Sequence, residues 1–175
     1  TPPTMVACNR GASGIDGVVS SAVGFSRGLG APVTLLIGDV AALHDLSALR
    51  AVKESPHPMT VVVVNNAGGG IFSFLPIAAH KTVMEPYFTH SHCTDFQAAA
   101  ALFDLKFARA STAAELDACL RDARRSGHHT LLEAVVPPPA KNVQTHKDLQ
   151  VTAARAARAA LDRGVDLCWR WEGEL

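Results

Sequence analysis

The sequence predicts an α/β fold: a doubly wound, largely parallel sheet with helices on both faces. Three observations predict it. Apolar runs at 33–37, 59–64 and 130–136 are short, rich in β-branched residues and bounded by Gly, Asp, Asn or Pro, as buried strands are. Segments with apolar residues at helical spacing lie between them. Asp39 and Asn66 each follow one of the runs and stand 27 residues apart, about one strand–helix–strand unit.

The 175 residues suffice for one domain with a sizeable core, and 48% of them are hydrophobic. Sixteen basic and sixteen acidic side chains cancel, so no field draws in nucleic acid or an anionic membrane. No apolar run approaches the roughly 20 residues of a membrane span. The chain begins Thr1-Pro2-Pro3-Thr4 without an initiator Met or a signal pattern, and is expected to be a piece of something longer. Cys8, Cys93, Cys119 and Cys168 form no CxxC pair, which argues for buried thiols in a reducing, intracellular compartment rather than zinc. His90 and His92 lie two apart and His128 and His129 are adjacent; neither spacing puts both imidazoles on one helix face.

In chain order, Met5-Val6-Ala7-Cys8 is a short strand candidate leading into Asn9-Arg10-Gly11-Ala12-Ser13-Gly14-Ile15-Asp16-Gly17. A helix is predicted over 15–29, with Val18, Val19, Ala22, Val23 and Phe25 as its apolar stripe and Gly28, Gly30 and Pro32 ending it. After the strand at 33–37, Leu43, Leu46, Leu49 and Val52 mark a helix over 41–53, broken by Pro56 and Pro58. The strand at 59–64 runs into Asn65-Asn66-Ala67-Gly68-Gly69-Gly70, an apolar segment at 71–76, and an irregular loop over 78–93. A helix is expected over 95–103 with Thr94 as N-cap, then a short alternating strand at 105–109. Thr112 and Glu115 form a capping box for the next helix, whose apolar face carries Leu116, Cys119, Leu120 and Ala123. Pro137-Pro138-Pro139 stops the last strand, and an Ala/Arg-rich helix covers about 143–163. Arg155, Arg158 and Arg163 read as its solvated face.

Parallel neighbours end on the same sheet edge, where ligands bind. An Asp oxygen, an Asn oxygen and a backbone carbonyl there are hard ligands suited to Mg2+ that also holds a phosphate. The adjacent glycines let backbone approach a ligand closely. The competing reading is that Asp, Asn and Gly stand at strand ends as ordinary turn residues. Asp16 is more simply a helix-dipole partner than a general base. His44 and Asp45, adjacent on a helix, point about 100° apart and cannot form a dyad.

Two families resemble these motifs. Short-chain dehydrogenases share a glycine cluster and an Asn-Asn-Ala-Gly. They also need a Tyr and a Lys four residues apart, whereas Tyr87 is followed at that distance by Ser91, and the cluster lacks the opening Thr-Gly. Thiamine diphosphate enzymes fit better, with Gly38-Asp39 and Asn65-Asn66 at the two strand ends, although Val40 stands where many members have Gly. Within them, three segments resemble the SEPHCHC (2-succinyl-5-enolpyruvyl-6-hydroxy-3-cyclohexene-1-carboxylate) synthases of menaquinone and phylloquinone biosynthesis. These are the stretch from Asn9 to Gly17, Gly38-Asp39-Val40-Ala41-Ala42-Leu43-His44-Asp45-Leu46, and the stretch from Val64 to Pro76. Asn142-Val143 and His146 match as well. Pro58-Met59-Thr60 and the triple glycine look most like plant and algal versions, where the synthase is one module of a plastid fusion protein.

The resemblance implies a transferase domain of the thiamine diphosphate-binding fold: a diphosphate-binding domain over 1–163, then a tail or linker over 164–175. Asp39, Asn66 and the Gly68 carbonyl would hold Mg2+ (or Mn2+), with Gly38 and the N–H groups of Val40 and Ala41 at the cofactor diphosphate. Ala41 stands where relatives often have Ser. Ile15 would wedge the cofactor into its bent shape; its alternative is a core contact at a helix start. Asn9 and Arg10 would touch substrate, Arg10 alternatively pairing with Asp16 or Glu85. Ile71, Phe72 and Leu75 would wall the pocket, with a core role open for Phe72 and Leu75. The substrates implied are 2-oxoglutarate and isochorismate. No catalytic residue falls in this chain, because the family's activating glutamate lies on a pyrimidine-binding domain contributed by another subunit of a homodimer or larger assembly. Alone the domain should be inactive, and its compartment would be plastid by the plant likeness, otherwise cytoplasm. Another thiamine-dependent decarboxylase or carboligase, or a non-catalytic remnant kept for assembly, remain alternatives.

Overall fold

The computed structural model describes residues 5–9 and 14–162. Arg10, the glycine-cluster residues Gly11 to Ser13, Arg163, and the expected tail with Cys168, Trp169 and Trp171 lie outside the described residues. The chain divides into two compact units, the first ending at Pro139 and the second starting at Ala140. The elements in order are α1 (Val18–Leu29), β1 (Val33–Gly38), α2 (Asp39–His44), α3 (Leu49–Lys53), β2 (Met59–Asn65), α4 (Lys81–Met84), α5 (Phe96–Leu102), β3 (Lys106–Ala110), α6 (Ala113–Ser126), β4 (Thr130–Val135) and α7 (Pro139–Asp162).

Four strands pair in parallel in the order β1-β2-β4-β3. β2 and β4 occupy the middle and are buried over almost their whole length, which is why both read as unbroken apolar runs. Their side chains alternate between two cores. Val61, Val63 and Leu131 face one core, with Val19, Val23, Leu49, Val52 and Phe96 from α1, α3 and α5. Val62, Leu132 and Ala134 face the other, under Leu116, Cys119 and Leu120 of α6. Each fully buried Leu, Val or Phe contributes about 1.5–3 kcal/mol. Helices therefore cover both faces, as the sequence predicts.

Several elements differ from expectation. Residues 5–9 are exposed and carry no regular structure, so the strand at 5–8 is absent. A four-residue apolar run holds no strand unless a neighbour pairs with it. The helix over 41–53 is split into α2, a 3-10 turn at Leu46–Ala48, and α3. The break falls at Asp45, whose Oδ2 accepts the N–H groups of Val19 (2.8 Å) and Ser20 (3.2 Å) and so caps α1. Asp45, not Asp16, is thus the dipole partner of α1; Asp16 instead faces His44 Nδ1 at 3.5 Å. The stretch 78–93 is not an irregular loop but holds the end of a 3-10 turn (Pro76–Ala79), α4 and a π turn (Glu85–Thr89). Asp95 rather than Thr94 caps α5, accepting the Gln97 N–H at 3.0 Å. The Thr112–Glu115 capping box is present as predicted. Gly30 closes α1 in the left-handed conformation (φ 63°), its N–H returning to Arg27 and Ser26 carbonyls.

Candidate active site

β1 and β2 run side by side with Gly38 opposite Val64, so Asp39 and the turn after Asn65 leave the sheet together at its carboxyl edge. Asp39 is the first residue of α2 and only 3% exposed. Its Oδ1 accepts the Val40 N–H at 2.8 Å. Its Oδ2 accepts the Gly68 N–H at 2.9 Å and lies 3.1 Å from His92 Nε2. The Asn66 side chain reaches the same point. With its nitrogen turned inward it donates to Asp39 Oδ2 (3.2 Å) and to the Gly68 carbonyl (2.6 Å). Turned the other way, its oxygen stands against those two oxygens.

Three oxygens in such contact repel one another unless a positive charge sits among them. Adjacent oxygens of an octahedral Mg2+ shell, with bonds of 2.0–2.1 Å at right angles, lie about 3 Å apart. The separations of 2.6 and 3.2 Å bracket that value. The donor set, a carboxylate, a carboxamide and a backbone carbonyl, has the hardness that Mg2+ selects. The residues therefore fit a diphosphate-bound divalent cation; without one, the two amide hydrogens of Asn66 supply the positive charge.

The turn is held from two sides. Ala67 adopts φ 62° and Gly68 φ 153°. A Cβ on Gly68 would stand 2.8 Å from the Thr89 carbonyl oxygen, and one on Gly69 3.2 Å from it. The Gly69 N–H donates to that same oxygen. The missing side chains at these two positions thus let the backbone of residues 89–91 dock on the turn, while the Gly68 carbonyl still faces Asn66. On the sheet side, Asn65 Nδ2 donates to Glu133 Oε1 (2.6 Å), and its Oδ1 accepts the Ala67 N–H (2.9 Å). Glu133, buried in β4, receives Arg109 Nε at 2.7 Å on its other oxygen. That carboxylate raises the Arg109 pKa, through the hydrogen bond first and its charge second.

Residues 1–134 match the family described as thiamine pyrophosphate enzyme, C-terminal TPP binding domain. The chain belongs to this family. Three curated relatives carry the name 2-succinyl-5-enolpyruvyl-6-hydroxy-3-cyclohexene-1-carboxylate synthase. The one from Rubrobacter xylanophilus is 49% identical over 153 residues, 87% of this chain and 26% of the relative. Those from Chlorobium limicola (45% over 157 residues, 89% and 27%) and Salinibacter ruber (48% over 148 residues, 85% and 24%) are similar. The chain thus spans about a quarter of the length of these relatives. A solved Rhodococcus jostii thiamine diphosphate-dependent 4-hydroxybenzoylformate decarboxylase superposes with a TM-score of 0.63 over 73% of this chain and 24% of its own, at 20% identity. That likeness shows a shared fold. The family match sets the dehydrogenase resemblance aside.

Within this TPP binding domain the predicted residues divide. Asp39, Asn66 and Gly68 meet at one point, and Gly38 leads directly into it. The Val40 N–H is engaged by the Asp39 carboxylate, and Ala41 follows as the third residue of α2. Ile15 lies in the turn before α1, partly exposed and apart from the core cluster. Asn9 is exposed. Ile71, Phe72 and Leu75 are exposed in or beside a 3-10 turn following the glycines, Phe72 making an edge contact with Phe88 (5.2 Å). Sequence reasoning missed His92, Asn65 as the link to Glu133, and Asp45 as a cap. The Asn-Asn doublet was the available signal for Asn65; nothing in the local pattern marks His92.

Proposed function

We propose that this chain is the diphosphate- and Mg2+-binding part of a SEPHCHC synthase, an enzyme that decarboxylates 2-oxoglutarate and adds the resulting four-carbon unit to isochorismate. The observation that carries the reading is the convergence of Asp39 Oδ2, the Asn66 amide and the Gly68 carbonyl at the ends of neighbouring strands. The names of the relatives support the substrate assignment. Thiamine diphosphate, when bound, supplies a stabilised carbanion equivalent. Asp39, Asn66 and Gly68 hold Mg2+ (or Mn2+) and through it the diphosphate, fixing the cofactor beside the sheet edge. Gly38, Val40 and Ala41 line the diphosphate side, and Ile15 supports the cofactor's bent shape. Asn9 and Arg10 bind substrate carboxylates, which a guanidinium takes bidentately. Ile71, Phe72 and Leu75 exclude water from the acceptor, and their exposure in this chain leaves them free for that role.

The proposal assigns residues 1–163 to the diphosphate-binding domain and 164–175 to a tail or linker, which the family match over residues 1–134 supports in its main part. It places the activating glutamate on a pyrimidine-binding domain of another subunit, so that the assembled enzyme is at least a homodimer. It also places the enzyme inside the cell, in plastid or cytoplasm. The thiols of Cys8, Cys93 and Cys119 are free, though Cys8 and Cys93 are exposed and Cys119 half-buried rather than buried as expected, and free thiols suit a reducing interior. No helix among the described residues is long and apolar enough to cross a membrane.

The test uses the whole protein. Calorimetric titration with thiamine diphosphate should show Mg2+-dependent binding that Asp39→Ala abolishes, together with loss of isochorismate consumption driven by 2-oxoglutarate. Unchanged binding and turnover in Asp39→Ala would sink the site. Turnover of pyruvate without any isochorismate-dependent product would move the protein to another thiamine-dependent decarboxylase.

A further inference from the structure

Resting on that reading, we infer that His92 is a positioning residue for the metal site: its Nε2–H holds the Asp39 carboxylate in the orientation that a diphosphate-bound divalent cation requires. The tautomer follows from the hydrogen bonds. The Thr94 N–H donates to His92 Nδ1 at 3.3 Å, so Nδ1 carries a lone pair. A neutral imidazole has one N–H, which therefore sits on Nε2 and points at Asp39 Oδ2, 3.1 Å away. The two side chains are 11% and 5% exposed, so water does not compete for the bond. The ring stands edge-on to the buried Phe96, with centroids 6.1 Å apart, which fixes its plane.

The need for such a group is geometric. The terminal torsion of an Asp side chain is soft. Apart from His92, Asp39 receives two backbone N–H groups, Val40 on Oδ1 and Gly68 on Oδ2, and the Asn66 amide, which a bound cation would turn away. Gly68 belongs to the turn that must itself present a carbonyl to the cation. His92 comes from a different segment, and that segment is docked on the same turn through Thr89 and Gly69. The imidazole therefore references the carboxylate to the loop, independently of the two strand ends. Groups that orient metal-binding carboxylates in this way typically change metal affinity by about 10–100-fold when removed.

The experiment titrates Mn2+ into the whole protein with excess thiamine diphosphate and reads free Mn2+ by electron paramagnetic resonance. It compares the parent with His92→Gln and His92→Met, side chains of similar length with and without a donor. Met is expected to raise the Mn2+ Kd by about 10–100-fold and Gln to recover most of the loss. Some loss of melting temperature in Met is expected because the buried carboxylate loses a donor, so the Kd is the deciding readout. If the Met variant does not fold, His92→Asn, whose amide is too short to reach Asp39, replaces it with the same expected loss. A Met variant that binds Mn2+ as tightly as the parent overturns the assignment, and so does a Gln variant as weak as Met. Tighter binding by Met also overturns it, because His92 would then compete with the cation for Asp39. A parent that binds no Mn2+ with the cofactor overturns the functional reading and this assignment together.

Discussion

Ala67 holds φ 62°, a left-handed conformation that costs an L-residue with a Cβ about 1–2 kcal/mol. The strain has a local cause. Asn66 must send its side chain, and Gly68 its carbonyl, to one point, and the residue between them absorbs the reversal while Asn65 Oδ1 holds its N–H at 2.9 Å. Ala67→Gly should therefore stabilise the protein by about 0.5–1 kcal/mol, since the greater freedom of glycine in the unfolded chain offsets part of the relief. Equilibrium urea unfolding measures it, and a destabilised variant would show that the turn is not strained. The meeting of Asp39 and Asn66 was readable in the sequence because each stands just past an apolar run that fixes where a strand ends; Gly68 came from the family resemblance. His92 was not. Its spacing from His90 puts no pair of imidazoles on one helix face, and its partner lies 53 residues away, a range that no local pattern reports.

The same contrast holds for elements. The apolar runs at 33–37, 59–64 and 130–136 match β1, β2 and β4 to within a residue at each end. β2 and β4 are apolar because they are covered on both faces, whereas β1, at the sheet edge, is not buried as expected and leaves Leu36 exposed. The helix over 41–53 failed because its break serves a distant element: Asp45 leaves the helix to cap α1, and no local pattern reports a hydrogen bond of that range. Glu133 is another long-range feature. It interrupts an otherwise apolar β4 and ties three strands together through Asn65 on β2 and Arg109 on β3. Removing Arg109 leaves a buried carboxylate short of a partner. Arg109 is half exposed and water screens the pair, so Arg109→Ala should destabilise the protein by much less than the loss of a fully buried pair. Adding Glu133→Gln should recover part of that loss in a double-mutant cycle read by urea unfolding. A neutral Arg109→Ala would mean that water replaces the guanidinium without penalty.

At the scale of the whole domain, the parallel α/β class was readable but the strand order was not, since β3 precedes β4 in sequence yet lies outside it. Hydrophobic period identifies a strand and says nothing about which neighbour it takes. That order places two different edges on the sheet. The carboxyl edge carries Asp39, Asn66 and Gly68, whereas the amino edge gathers Lys53, Asp104, Lys106, His128 and His129 around the starts of β3 and β4. His129 links the middle strands there: its Nδ1 accepts the N–H of Met59 at 3.3 Å, and its carbonyl accepts the N–H of Lys106 at 3.0 Å. Burial pushes the His129 pKa below its ordinary value, and the Lys53 charge pushes it further. The folded protein therefore favours neutral His129, as the Met59 hydrogen bond requires. Above about pH 6.5, the ordinary imidazole pKa, both states leave His129 neutral and its contribution is constant. As pH falls from there, the unfolded chain takes up the proton first, so stability declines until the folded pKa is passed. Urea midpoints measured between about pH 8 and pH 5 should fall more steeply for the parent than for His129→Gln, which keeps an acceptor for Met59 but does not titrate. Equal slopes would show that His129 is not responsible. Because the two edges lie at opposite ends of the strands, the same substitution should leave Mn2+ binding at Asp39 unchanged, which separates acid sensitivity of the scaffold from that of the site.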